Sequence, residues 1–259
     1  MKKCMSRLWR EIAIEKLAHN GESPRLLVVI FSVLKLKYMH SLNDIKKARD
    51  NTVGSREAIP RIFHTKKNFR DSTLKLNQDE FDVLFGSVLG DAYITKKGRV
   101  QIEHSDKQKD YLIWKYKKLC NVVSTSVLMT QRSKKQDPSK KTISYRFWSK
   151  QYFHSWRNLF YPNGKKSVPK GIKEALSPLV MAIWYMDDGY LRPKKGCCLS
   201  TDSFSKEEVA TIQKALMEKY DLRASIVSRN RLNIGVIASQ KFFRMIDPFV
   251  ISSMRYKLP

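Results

Sequence analysis

Two aspartates, Asp91 and Asp188, each close an apolar run and are followed by similar residues. Gly90-Asp91-Ala92-Tyr93-Ile94 sets beside Asp187-Asp188-Gly189-Tyr190-Leu191, and Lys96-Lys97-Gly98 beside Lys194-Lys195-Gly196. The aspartates are 97 residues apart (188 − 91). A carboxylate at a helix C-terminus faces the negative end of the macrodipole, and two such groups brought together repel. A fold without chemistry gains nothing from that pair. Divalent cations reverse the sign, because Mg²⁺ takes one or two carboxylates together with waters and substrate phosphates. Paired ions can then activate a water and stabilise the leaving oxygen of a phosphodiester. A lone aspartate after a helix is commonly a turn former; its duplication with its flanking residues favours the chemical reading. Two or more Mg²⁺ ions shared between Asp91 and Asp188 are the expected cofactor.

The elements that would position these acids are legible from period. Phe81, Leu84, Phe85, Val88 and Leu89 recur at helical spacing, and Pro178 to Met186 opens with a proline suited to a first turn and stays apolar. Both read as buried helices ending at their aspartates. Gly86 and Gly90, four apart on one face, allow another helix to approach closely. If that helix is the duplicate one, a pseudo-twofold axis runs between them and the two acids meet. Strand character follows around Arg99–Glu103 and Ile143–Trp148, and again around Cys197–Ser200, Arg223–Val227 and Leu232–Ile237. Helical segments lie between, at Gln108–Leu119 and Lys206–Tyr220, the latter opened by Ser205 with Glu208 at capping-box spacing. Ser149–Phe153 mirrors Ser239–Phe243, and each unit closes with a lysine before a proline, Lys166 with Pro169 and Lys257 with Pro259. The fold class expected is α+β: two pseudo-symmetric units, 76–169 and 170–259, after a helical and basic extension over 1–75.

Charge points to the partner. With 50 Lys+Arg against 24 Asp+Glu, the 259-residue chain carries a formal charge of +26, far beyond what solubility requires. The basic residues run along the whole length and mix with aromatics, as suits a surface that tracks phosphates. The cysteines (Cys4, Cys120, Cys197, Cys198) and the five histidines show no zinc spacing. No role is assigned to the histidines. The longest apolar stretch, Leu26–Leu34, is far short of the roughly 20 residues that span a bilayer, so no membrane partner is expected. Glu11 and Glu15 argue against reading the basic N-terminus as a presequence.

Leu84–Ala92 and Met181–Gly189 resemble the two copies of the LAGLIDADG motif in single-chain homing endonucleases of the yeast mitochondrial omega-intron type. The resemblance runs from about Leu76 to Pro259 and includes Lys165-Lys166-Ser167-Val168-Pro169 and the terminal Tyr256-Lys257-Leu258-Pro259. It implies an αββαββα unit used twice in a monomer, with saddle-shaped antiparallel sheets in successive major grooves. Both strands of double-stranded DNA would be cut across the minor groove, leaving short 3′ overhangs. It matches Asp91 and Asp188 to the metal-binding acids, beside Gly90 and Asp187, and Lys166 and Lys257 to the basic residues near the scissile phosphates. There a cation stabilises developing charge or orients water. The second motif departs from the pattern: Ile183 replaces a glycine, and Asp187 stands where a small residue is usual. Register selects Asp188 as the ligand, with Asp187 able to assist or substitute.

For base reading, alternation places Arg99, Gln101 and Glu103 in the first unit, and Arg229, Arg231 and Asn233 in the second, on the DNA side. Arg suits guanine, and Gln or Asn suits adenine. Lys96, Lys97, Arg192, Lys194 and Lys195 complete the expected DNA-binding set. The rival function is an intron maturase, an RNA-folding cofactor on the same fold that binds its own intron RNA; a regulator that binds DNA without chemistry is a further alternative. The resemblance implies an organellar intron product, from chloroplast or mitochondrion.

Overall fold

The computed structural model describes residues 59–60, 63, 65–66 and 73–259, except 135–136, 193 and 195. The chain divides into Met1–Arg56 and Glu57–Pro259, and only the second is described below. A two-stranded ribbon of β1 (Thr65–Lys66) and β2 (Thr73–Leu74) opens it. Within the region expected as an extension, Phe63 is fully buried, its ring against Phe81, Phe85 and Trp156 of the first unit.

The first unit runs α1 (Gln78–Leu89), β3 (Tyr93–Ile94), β4 (Val100–Ser105), α2 (Lys109–Lys118), β5 (Leu128–Lys134), β6 (Asp137–Trp148) and α3 (His154–Phe160). A one-turn helix, α4 (Ile172–Ala175), leads to the second: α5 (Pro178–Asp188), β7 (Gly189–Arg192), β8 (Gly196–Leu199), α6 (Lys206–Tyr220), β9 (Ala224–Val227), β10 (Arg231–Ile234) and α7 (Val236–Ile246). This is αββαββα twice. Each unit builds a four-stranded antiparallel sheet in the same relative order, β3-β4-β6-β5 and β7-β8-β10-β9.

Local chemistry explains the helix starts. Asn77 accepts from the Glu80 amide at 2.9 Å while Glu80 reaches back to the Asn77 amide at 3.0 Å. Ser177 caps α5 ahead of Pro178, and the Ser205–Glu208 box forms as expected. Helix α5 is buried from Leu179 to Met186, which is why it shows little amphipathic period.

The two motif helices form the interface between the units, and their contact is as close as small residues permit. A Cβ on Gly86 would stand 2.7 Å from the Ile183 Cβ and 2.8 Å from the Val180 carbonyl oxygen; one on Gly90 would stand 2.5 Å from the Asp187 Cβ. The 97-residue offset turns Gly86 into Ile183 and Gly90 into Asp187, so pseudo-equivalent residues face each other across the axis.

Several boundaries differ from the sequence reading. Strand β5 was not expected, because Thr130-Gln131-Arg132-Ser133 is polar, and β6 begins at Asp137 instead of near Ile143. The run through Ile237 is cut after Ile234, since Gly235 caps α7. Ser149–Phe153 leads into α3 whereas Ser239–Phe243 lies within α7, so that likeness is not kept in space.

Candidate active site

Helix α1 ends at Leu89 with Gly90 as its cap, so Asp91 lies just past the end; Asp188 is the last residue of α5. At these ends, burial first and then the neighbouring carboxylates push both acids up. Asp188 rises to about 7, with Asp91 and Asp187 contributing, and Asp91 rises through burial and then the Asp187 carboxylate. Carboxylates crowded enough to resist ionisation are what a cation would relieve, and the Asp91 side chain keeps 44% exposure, so a partner can reach it.

Lys166 and Lys257 sit at the same helix ends in a matching way. Lys166 Nζ donates to the Leu89 carbonyl at 2.9 Å and to the Gly90 carbonyl; Lys257 Nζ donates to the Met186 carbonyl and to the Asp187 carbonyl at 3.0 Å. Those four carbonyls are related by the same 97-residue offset. Each ammonium therefore satisfies orphan carbonyls at a helix C-terminus, where a cation is also favoured by the dipole. Burial pulls both lysines below the usual ammonium range.

Asp187 is engaged differently. Its side chain is fully buried, and both oxygens accept from Lys115 Nζ of α2, at 2.8 and 2.9 Å. One of those oxygens also accepts from the Asp91 amide at 3.4 Å. Lys115 contacts His104 Nε2 at 3.1 Å, and His104 Nδ1 lies 3.8 Å from a carboxylate oxygen of Asp91. Burial, then Lys115, lowers His104 to about 3, so the imidazole is neutral at working pH. Ligand atoms on Asp91, His104 and Asp187 lie within 4.8 Å of one another. That trio suits Mg²⁺ poorly, because the ion prefers carboxylate and water over imidazole and Lys115 already occupies Asp187. Carboxylates of the kind Mg²⁺ prefers are also offered by Asp91 and Asp188 at the two helix ends.

His104 and Lys115 carried no signal in the sequence. Strand alternation turns Val100, Ile102 and His104 inward, and the buried face of α2, with Tyr111, Leu112 and Tyr116, includes Lys115.

The opposite faces of the sheets carry the expected readers. Gln101 and Glu103 alternate outward on β4, with Arg132, Ser144, Arg146 and Trp148 beside them. Glu103 accepts from Ser144 at 2.7 Å and pairs with Arg132 at 3.0 Å, and Trp148 donates to Gln101 at 3.2 Å. Arg132 lies on β5, which carries no strand signal in the sequence, whereas Arg146 and Trp148 lie on the stretch Ile143–Trp148 that reads as a strand but are outside the expected set of readers. In the second sheet Asn233 accepts from Arg192 at 2.6 Å, and Arg231 pairs with Asp202 at 2.8 Å beside Tyr190. Two of the expected residues lie off the strands. Arg99 precedes β4, its amide donating to Thr95, and Arg229 has φ 61 in the turn Ser228–Asn230. In each case a turn precedes the strand, and the alternation begins only after the arginine. Lys96 and Lys97 are exposed in the turn after β3, and Lys194 has φ 60 in the matching turn after β7. Lys195 lies outside the described residues.

The model of the LAGLIDADG DNA endonuclease family matches residues 81–242, well over half of the chain and both motif helices. The chain belongs to that family. This LAGLIDADG chain is 28% identical to the DNA endonuclease I-ChuI of Chlamydomonas applanata, covering 71% of this chain and 96% of the relative. It is 29% identical to the cytochrome b mRNA maturase bI2 of Debaryomyces hansenii, over 71% of this chain and 74% of that one. The homing endonuclease I-WcaI bound to its DNA recognition sequence shares the fold, with a TM-score of 0.63 at 24% identity over 72% of this chain and 88% of that one. LAGLIDADG endonucleases are metal-dependent, DNA-cleaving enzymes. Among the described residues, no helix is long and apolar enough to cross a membrane.

Proposed function

We propose that the protein is a site-specific DNA endonuclease that hydrolyses both strands of a long target, promotes homing of an organellar intron, and requires Mg²⁺. The observation that carries this reading is the pair of acids, Asp91 and Asp188, held at the ends of two helices in van der Waals contact, each end closed by its own lysine. Family membership and the DNA-bound fold relative support it.

Asp91 and Asp188 would hold the ions, with the Gly90 and Asp187 carbonyls close by. Bound Mg²⁺ supplies an activated water and a counter-charge for the leaving oxygen. The protein's own contribution is placement. The Gly86 and Gly90 contacts fix the distance between the helix ends, and hence between the acids. Lys166 and Lys257 each have three N–H donors and use two on carbonyls, which leaves one for a phosphate oxygen as charge builds. The two sheets present Gln101, Arg132 and Arg146 on one side and Arg192, Arg231 and Asn233 on the other to base edges and phosphates, with Lys96, Lys97 and Lys194 in the flanking turns.

The test is cleavage of a plasmid library of candidate intron-insertion sequences in Mg²⁺, in Ca²⁺ and in EDTA, by the wild type and by Asp91→Asn and Asp188→Asn. Double-strand cutting at one sequence that needs Mg²⁺ and both acids is expected. The likeness to the Debaryomyces maturase favours a second reading, in which the basic surface folds intron RNA. No cutting of any target, with selective binding of the parent intron RNA, would move the protein to that role.

A further inference from the structure

Besides Gly86 and Gly90, which become Ile183 and Asp187, the duplication is broken at two ionisable positions beside the acids. The 97-residue offset that pairs Asp91 with Asp188 also pairs Lys109 with Lys206, the first residues of α2 and α6. Applied to His104 and Lys115 it gives Thr201 and Ile212, both fully buried and neither ionisable. A chain of polar contacts therefore reaches Asp91 and has no counterpart at Asp188.

The chain can be followed atom by atom. Asp187, on the second unit's helix, accepts from Lys115 with both oxygens. Lys115 is itself fully buried, and its ammonium lies 4.3 Å from the Tyr111 ring centre. An ammonium has no lone pair, so at the 3.1 Å contact with His104 it can only donate. Nε2 is then the acceptor and the imidazole proton resides on Nδ1, the nitrogen that faces Asp91 at 3.8 Å. Removing Asp187 would take from Lys115 the carboxylate it is bonded to; removing Lys115 would take away the donor to Nε2 and leave the imidazole to Gln108, whose side chain also hydrogen-bonds it. Gly90 belongs to the same device, since a Cβ there would meet the Asp187 carboxylate.

We infer that Asp187 and Lys115 are a built-in ion pair that fixes the tautomer and orientation of His104 against Asp91, so that the two acid centres are unequal and one DNA strand depends on this network while the other does not. In this arrangement Asp187 is a positioning residue acting through Lys115 and is not a metal ligand. The inference rests on the endonuclease reading for its effect on DNA, and on the geometry alone for the imidazole.

Lys115→Met with Asp187→Asn removes both charges at nearly constant volume, and His104→Phe breaks the chain while leaving both members of the ion pair in place, at the loss of one acceptor to Lys115. Strand-resolved cleavage of a duplex labelled on both strands is the measurement, with DNA affinity and melting temperature taken in parallel. One strand should slow by about tenfold or more and nicked duplex accumulate, the size expected when a group orienting a ligand is lost. The other strand should stay within about twofold, and DNA affinity should be unchanged. Equal slowing of both strands would overturn the inference, because a merely structural defect has no strand preference. The nitrogen shifts of His104 at one fixed pH give a second readout: Nδ1–H in the wild type and mixed tautomers in the double variant. A wild type that cuts no target would sink the endonuclease reading, and the imidazole spectrum would still decide whether the ion pair sets the tautomer.

Discussion

The two halves of this molecule share an architecture and differ in what they bury beside their acids. In the first, β4 and α2 direct an imidazole and an ammonium into the interior; in the second, the same positions hold Thr201 and Ile212. The lysine caps on the motif helices, by contrast, are kept to the atom, Lys166 on Leu89 and Gly90, Lys257 on Met186 and Asp187. Backbone placement is thus the symmetric part of the design, and side-chain electrostatics the divergent part. The sheets show the same division. Strand order is repeated, but β5 and β6 make a long hairpin of 7 and 12 residues where β9 and β10 have 4 each. One half can therefore contact more of a polyanion than the other.

The largest effect should come from placing one residue at both equivalent positions. Lys115→Met leaves the buried Asp187 without its cation and is expected to destabilise by roughly 3–5 kcal/mol, whereas Ile212→Met, a volume-conserving change, should cost less than about 1.5 kcal/mol. Urea unfolding measures both. Adding Asp187→Asn to Lys115→Met should recover most of the loss, and failure to recover would mean that Lys115 contributes by packing and not by charge.

Next in size is the helix contact. Gly86→Ala drives a methyl against the Ile183 Cβ and the Val180 carbonyl oxygen, at 2.7 and 2.8 Å. Overpacking of this kind costs about 1–3 kcal/mol. Pairing it with Ile183→Ala should relieve part of the strain, and only part, because a backbone carbonyl cannot be trimmed. A double-mutant cycle showing strict additivity would argue that the two helices are not locked at this point.

How far the sequence foretold this comparison follows from what repeats can carry. The period of the motif helices, the small residues at Gly86 and Gly90, and the Ser205 cap are local signals, and each produced the element expected of it. Asp91 and Asp188 were found because their neighbours are duplicated with them. His104 and Lys115 were invisible for the opposite reason: they have no duplicate. Lys115 reads as one of four lysines in α2, and only the helix phase, with Tyr111, Leu112 and Tyr116 buried around it, turns it inward. Strand β5 carries no signal because both its faces are largely exposed, so no hydrophobic alternation marks it. Arg229 was misplaced because a turn with left-handed φ at Arg229 and Asn230 lies between β9 and β10, and nothing in Ser228-Arg229-Asn230 announces where the strand begins.

The acids give a smaller effect with a definite sign. Asp188 is held at about 7 in the folded protein, above its unfolded value near 4, so between those pH values the native state binds more protons. Stability from this group is present at low pH, falls as pH rises from about 4 to about 7, and is flat beyond. Asp188→Asn removes the penalty. Without divalent cations the variant should be more stable than the wild type at pH 8 by about 1–2 kcal/mol, less than the full shift implies because Asp188 is part exposed. That is roughly 2–8 °C in melting temperature for a domain of this size. The two should converge below about pH 4. Saturating Ca²⁺ should stabilise the wild type more than the variant, and a wild type more stable than the variant at pH 8 without cations would show the carboxylate to be satisfied by the protein alone.

The smallest change in stability, and the most direct comparison of the two sheet faces, is expected from Arg231→Gln and Arg146→Gln. Arg231 pairs with Asp202 at 2.8 Å on a partly exposed face, and Arg146 stands 3.9 Å from Glu103 with 29% of its side chain exposed. Pairs this accessible contribute little, so unfolding free energies should move by no more than about 0.5 kcal/mol for Arg231→Gln. Binding to the target in Ca²⁺ separates their roles. An arginine that contacts phosphate weakens all sequences alike and lowers the salt slope by about one, whereas one that reads a base loses discrimination at one position, by about 1–3 kcal/mol. Arg146 stands over the Trp148 ring, 4.9 Å from its centre, and only 3.9 Å from Glu103, so it can turn to a base edge without giving up a close ion pair. Arg231 must leave Asp202 to reach DNA and so suits phosphate. A loss of base discrimination in Arg231→Gln and a uniform loss in Arg146→Gln would reverse that assignment.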